Sequence, residues 1–232
     1  MEAPPPAPPP AIEFTSPTSN SVFLRDLDQA SGKLFAYATV TASANRPEVA
    51  RVELLDDEGV QLAEAGTGPD YSFDLEFERD GVRNLLAVAY DQSGTELGTA
   101  NLRLTVATIQ RECTDWLDLL GVDYQLGPEL EGVINPVTAQ LPVGEVEYRY
   151  YYDDTFRESL IADCTTIRSM ALMDPYLRER GITTVVDIGV YDYRCIGGGE
   201  PPNCAQGISQ HARARAIDLN AFIAEDGLSL IH

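Results

Sequence analysis

Between residues 12 and 107, apolar and polar positions alternate in short runs, at 21–24, 34–41, 50–55, 71–77, 82–90 and 99–107. Turn-forming stretches separate them: Asp56-Asp57-Glu58-Gly59, residues 66–70, Asp80-Gly81 and residues 91–94. Successive side chains of a strand point to opposite faces, so a period of two buries one face and wets the other. Short runs of this kind, repeated with turns over about a hundred residues, predict a β-sandwich. Residues 1–11 precede it as an Ala/Pro-rich linker, which favours polyproline II and has nothing to build a core from.

After residue 107 the pattern changes. Ile109, Trp116, Leu117 and Leu120 recur at near-helical spacing and Gly121 follows, which predicts a helix over 108–120 with Trp116 in the core, a carbohydrate platform being the alternative for that residue. Residues 122–144 are mixed, with Pro136 and Pro142 marking loops. Residues 146–152 read as a strand containing Tyr148-Arg149-Tyr150-Tyr151-Tyr152. Aromatic residues favour strands, so packing accounts for this run, and a glycan groove is the alternative. Leu160, Ile161, Cys164, Ile167, Met170 and Ala171 form one stripe of a helix over 156–173, which Asp174-Pro175 breaks before a short helix over 176–180. Residues 183–188 read as a buried strand leading into Tyr191-Asp192-Tyr193-Arg194, and 216–224 as another.

The chemistry concentrates in Ser209-Gln-His-Ala-Arg-Ala-Arg-Ala-Ile-Asp218, which holds one of the two histidines of the chain. Residues seven apart on a helix share a face but lie roughly 10 Å apart along its axis. On one strand an odd separation sends the side chains to opposite faces. A site shared by His211 and Asp218 therefore needs a turn between them, with His211 on a loop or short helical turn and Asp218 on the strand. Imidazole with carboxylate is a zinc-type donor pair. Gly197-Gly198-Gly199 lacks the Lys-Ser/Thr of a phosphate loop and reads as a flap.

A formal net charge of −21 over 232 residues argues against nucleic acid and anionic membrane surfaces as partners. No apolar run reaches the roughly 18 residues of a membrane span. Four cysteines fall in the second half. Cys195 and Cys204 bracket a loop that a disulfide can close, which leaves Cys113 with Cys164; buried free thiols are the alternative. Disulfides place the chain outside the cytoplasm.

The motif Ser-x-His-x-x-(Gly)-x-Ala-x-Asp, with the stretch from Tyr191 to Arg194 and with Ala221-Phe222 and Asp226-Gly227, resembles the bacterial extensin-like C-terminal domain, related to zinc D-alanyl-D-alanine carboxypeptidases and dipeptidases. The likeness spans 113–232. The opening Ile-Glu-Phe-Thr-Ser-Pro and Ala-Val-Ala-Tyr-Asp-Gln-Ser-Gly resemble bacterial Ig-like repeats, although no cysteine or tryptophan lies within 12–107 to make an antibody-type disulfide pin. The resemblance implies two domains: an all-β Ig-like sandwich (12–107) and an α+β zinc-peptidase-like domain (108–232), the latter incomplete at its C-terminus. It implies zinc held by His211 and Asp218, a loop supported by Ser209, and Arg194 countering substrate charge. The implied activity is hydrolysis of amide bonds next to D-amino acids in peptidoglycan, with the Ig-like module positioning the enzyme in the envelope.

The sequence departs from the family in two places. Ala214 stands where the family has glycine, so a positive φ is strained there. The family's third ligand and base lie in a downstream His-x-His or Glu-x-x-His segment, and the chain given ends at His232. A two-residue turn at Asp226-Gly227 pairs His232 with Ala221, facing away from Asp218; a three-residue turn pairs it with Asn220, on the face of Asp218 but about 7 Å away. A non-catalytic envelope-binding protein or adhesin, keeping a hydrolase fold without turnover, is the alternative function.

Overall fold

The computed structural model describes residues 9–66, 68–227 and 229–231; the first eight linker residues and His232 lie outside the described residues. The chain divides into two compact units, Met1–Ile109 and Gln110–His232.

The first unit is built of β1 (Ile12–Ser16), β2 (Ser21–Asp28), β3 (Lys33–Ala44), β4 (Arg51–Leu55), β5 (Gln61–Ala65), β6 (Asp70–Phe77), β7 (Gly81–Tyr90) and β8 (Glu96–Thr108). β1, β3 and β6 make one antiparallel set. The order β2-β8-β7-β4-β5 makes the other, in which β2 runs parallel to β8 before its end pairs with β3. β6 follows the period-two rule along its length: Tyr71, Phe73, Leu75 and Phe77 are buried while the residues between them are exposed. Its register sets large against small, with Phe77 opposite Ala36, Leu75 opposite Ala38 and Tyr71 opposite Ala42. These side chains share one core with Val52, Leu54, Leu85, Ala87, Leu102 and Leu104 from the other set. Each large one contributes roughly 1.5–3 kcal/mol by leaving water. β5 escaped the sequence pattern because it is an edge strand whose residues are exposed or half-buried, so no apolar alternation is needed.

The second unit contains α1 (Cys113–Leu119), β9 (Tyr124–Leu126), β10 (Pro136–Gln140), β11 (Glu147–Tyr150), β12 (Ser159–Asp163), α2 (Cys164–Arg178), β13 (Ile182–Gly189), a 3₁₀ turn (His211–Arg213), β14 (Asp218–Ala224) and β15 (Ser229–Ile231). The strands form two separate sheets, β12-β10-β9 and β11-β13-β14-β15. In the second sheet β11 is parallel to β13, and the remaining pairs are antiparallel.

This corrects the expected fold class. Strand outweighs helix in the second unit, though less than in the first, and the described residues include only two α-helices, of 7 and 15 residues; an α+β peptidase-like domain is not what they form. Two helix expectations account for much of the difference. Residues 108–120 yield only α1, because Thr108 completes β8. Residues 156–173 split: Leu160 and Ala162 are buried with Ile161 exposed between them, the alternation of a strand, and β12 pairs with β10. Asp163 then caps α2 by accepting the Thr165 backbone N–H.

The expected break at Asp174-Pro175 also fails, since α2 continues through it to Arg178. Asp174 is buried, and its carboxylate accepts from the Glu145 and Val146 amides at 2.8 Å each and from Arg178 Nε at 2.8 Å. These contacts outweigh the proline's lost hydrogen bond. Gly144 permits the approach: a Cβ there would stand 2.3 Å from the Asp174 carboxyl carbon.

Among the described residues every cysteine is paired, Cys113 with Cys164 and Cys195 with Cys204. No helix among the described residues is long and apolar enough to cross a membrane.

Candidate functional site

Residues 190–195 and 208–211 run side by side. The Asp192 amide donates to the His211 carbonyl at 3.2 Å, the Ser209 amide donates to the Arg194 carbonyl at 3.1 Å, and Cys195 bridges to Ile208. His211 opens the 3₁₀ turn, and its own amide donates to Ser209 Oγ at 3.2 Å. Asp218 begins β14 opposite Gly189 of β13. The turn between them does what the odd spacing required: His211 Nε2 lies 3.2 Å from Asp218 Oδ1.

The other ring nitrogen settles the tautomer. His211 Nδ1 is 3.0 Å from the Val190 carbonyl oxygen. A carbonyl only accepts, so Nδ1 carries the proton. In the neutral ring Nε2 then presents a lone pair to a carboxylate oxygen. Two acceptors at this distance need a shared proton or a shared cation, and a histidine locked by a backbone carbonyl is the arrangement that orients metal ligands. With zinc–donor distances of about 2.0–2.2 Å, two donors of one tetrahedral ion lie about 3.3–3.6 Å apart, slightly more than the 3.2 Å of this pair.

The fit stops at two donors. No group of three or more His, Cys, Asp or Glu side chains able to hold a metal occurs among the described residues. The candidate third ligand, His232, lies outside them. The β14–β15 register, with Ile223 opposite Ser229, is that of the three-residue turn.

Arg194 reaches the same cleft, of about 290 Å³, whose walls also include Tyr152, Tyr191 and Asp192. Its Nε pairs with Asp192 Oδ2 at 2.9 Å, and both side chains are more than half exposed. Tyr191 donates its hydroxyl to the Glu131 carbonyl at 3.0 Å. Desolvation, helped by the Glu131 charge, pushes that phenol above its ordinary range. A second cleft of about 330 Å³ beside the Cys113–Cys164 bridge shares no residue with this one. Sequence reasoning placed Tyr152 in a strand. Only its membership of the tyrosine run signalled a role in the cleft.

Ala214 closes the turn in the left-handed region, at φ 49° and ψ 35°, and is fully buried. Its carbonyl accepts from Thr166 Oγ1 at 2.7 Å and from the Asp163 amide at 3.1 Å, which holds the strained residue in place. Ala214→Gly removes a penalty of roughly 1 kcal/mol and loses a buried methyl worth about 0.8 kcal/mol, so stability is expected to change by less than about 1 kcal/mol. Ala214→Val adds branching in the same conformation and overfills the site, and is expected to cost about 2–4 kcal/mol in urea denaturation. A valine variant as stable as the parent would contradict this backbone assignment.

The chain matches no family model and no curated protein. Among solved structures it is similar to the fibronectin(III)-like modules of CbhA from Clostridium thermocellum, at 20% identity over 43% of this chain and 99% of that one, with a TM-score of 0.32. CopC from Methylosinus trichosporium OB3b gives 12% identity over 42% of this chain and 92% of that one, TM-score 0.27. The CARDB domain of PF1109 from Pyrococcus furiosus gives 13% identity over 42% and 93%, TM-score 0.25.

Proposed function

We propose that this is an extracytoplasmic binding protein of the cell envelope, in which the first unit is a β-sandwich binding module and the second binds a divalent cation, zinc foremost, at His211 and Asp218. The observation that carries the reading is the Nδ1–Val190 lock, which aims the Nε2 lone pair at a carboxylate. Two disulfides support an oxidising compartment. Arg194 on the same wall suits an anionic group of the ligand, such as a peptide carboxylate of peptidoglycan.

Hydrolysis of D-amino-acid peptides is the second reading, favoured by the motif and by the meeting of His211, Asp218 and Arg194 in one cleft. Bound zinc would there supply Lewis-acid polarisation of the scissile carbonyl. With two donors in place, no hydrolytic step follows from the residues described.

Zinc titration calorimetry with metal analysis tests the site. One zinc per chain is expected, held more weakly than in a four-ligand structural site and weakened at least about tenfold in His211→Ala and in Asp218→Asn. Uptake that is absent, or indifferent to His211→Ala, would overturn the cation reading. Turnover of a D-alanyl-D-alanine peptide by the zinc-loaded chain would replace the binding reading with the hydrolase.

A further inference from the structure

The tyrosine run divides by position. Tyr148 is buried in the core of the second unit. Tyr150 is half-buried, with the Arg157 guanidinium 4.3 Å over its ring. Tyr151 and Tyr152 are 51% and 70% exposed, and Tyr152 lines the cleft of His211, Asp218 and Arg194. We propose that Tyr152 is the stacking platform of a glycan-binding subsite in this cleft, taking one unit of a neutral sugar chain. This deepens the binding reading above and rests on it.

The platform is built to be still. Tyr152 meets Tyr150 edge-on at 5.4 Å and Tyr151 at 5.3 Å. The turn carrying it is closed by Tyr150 N–H to the Thr155 carbonyl at 2.8 Å and by Asp154 N–H to the Tyr150 carbonyl at 3.0 Å, and tied to β13 by Tyr151 N–H to the Asp187 carbonyl at 2.8 Å. The Asp153 carboxylate accepts from the Thr155 amide and hydroxyl at 3.1 and 2.7 Å. An aromatic ring already ordered in water has little freedom left to lose on binding, and the area it exposes is recovered when an apolar face covers it.

A sugar ring offers that face through its C–H groups, while its hydroxyls project sideways. Asp192, Asp218 and Arg194 line the same cleft as acceptors and donors for them.

An exposed aromatic face also attracts cations. Two of the carboxylates near this one are answered by arginine, Asp154 by Arg149 at 3.1 Å and Asp192 by Arg194 at 2.9 Å, and Asp218 faces the His211 lone pair as the other donor of the proposed cation site. An ammonium ion would compete with a metal for Asp218 and gain only the π face beyond it, whereas a neutral polyol meets both the face and the hydrogen-bonding groups.

The test is titration of the whole chain with chitohexaose and with cellohexaose, by calorimetry and tyrosine-region NMR, with and without zinc. Saturable binding of at least one oligomer is expected, weakened about tenfold or more in Tyr152→Ala, within about threefold of the parent in Tyr152→Phe, and unchanged in Tyr37→Ala, another largely exposed tyrosine, in the first unit. Failure of both oligomers to bind, or equal binding by Tyr152→Ala, overturns the proposal. So does displacement of bound sugar by millimolar tetramethylammonium, which would make the ring a cation platform. Sugar binding without zinc uptake leaves the subsite standing and removes the cation site; zinc uptake without sugar binding removes the subsite alone.

Discussion

Arg157→Ala is expected to destabilise the second unit by about 3–5 kcal/mol, the cost of stranding a buried carboxylate. Asp187 is fully buried in β13, and Arg157 holds both its oxygens, with Nε to Oδ2 and Nη2 to Oδ1 at 2.7 Å each. The bidentate geometry offsets the desolvation of both groups; with the guanidinium gone, Asp187 keeps its burial and loses its partner. Urea denaturation followed by Trp116 fluorescence reads the effect, because the only tryptophan of the chain lies buried in this unit. Joint replacement, Arg157→Met with Asp187→Leu, is expected to recover most of the loss, since it removes charge and partner together. A loss below about 1 kcal/mol in Arg157→Ala would mean that the pair behaves as a solvated surface bridge.

Removal of the Cys113–Cys164 bridge is expected to cost about 4 kcal/mol, and removal of Cys195–Cys204 about 2.7 kcal/mol. The first closes a sequence separation of 51 residues and the second one of 9, and the entropy withheld from the unfolded chain grows with the logarithm of the loop. The longer bridge also joins the first residues of α1 and α2, with the Cys164 end fully buried. Paired Cys→Ala variants, compared by the same Trp116 denaturation, check the order. A larger loss from the shorter bridge would show that native contacts around the loop beside Arg194, and not chain entropy, set its contribution.

The strands of the first unit were legible because one face of each is dry and the other wet, as in β6. β5 was not, because an edge strand places no such demand on its residues. In the second unit the stripe through Leu160, Cys164, Ile167 and Met170 fitted a helix by spacing, yet its first part is strand. A few apolar positions satisfy either period, and pairing with β10 decided between them. Asp174-Pro175 carried a local breaking signal that buried contacts to Glu145, Val146 and Arg178 overrode.

For the candidate site, the sequence by itself determined that His211 and Asp218 could meet only across a turn, since neither helix nor strand geometry joins residues seven apart. It also marked Ala214 as the strained position. Only the tertiary structure decided which carbonyl locks the imidazole, that Tyr152 and not Tyr148 faces the cleft, and that the pair finds no third donor among the described residues. Periodicity reports which side of a local element is wet. The convergence of Tyr152, Arg194, His211 and Asp218 depends on how distant strands pair, and no local pattern carries that information.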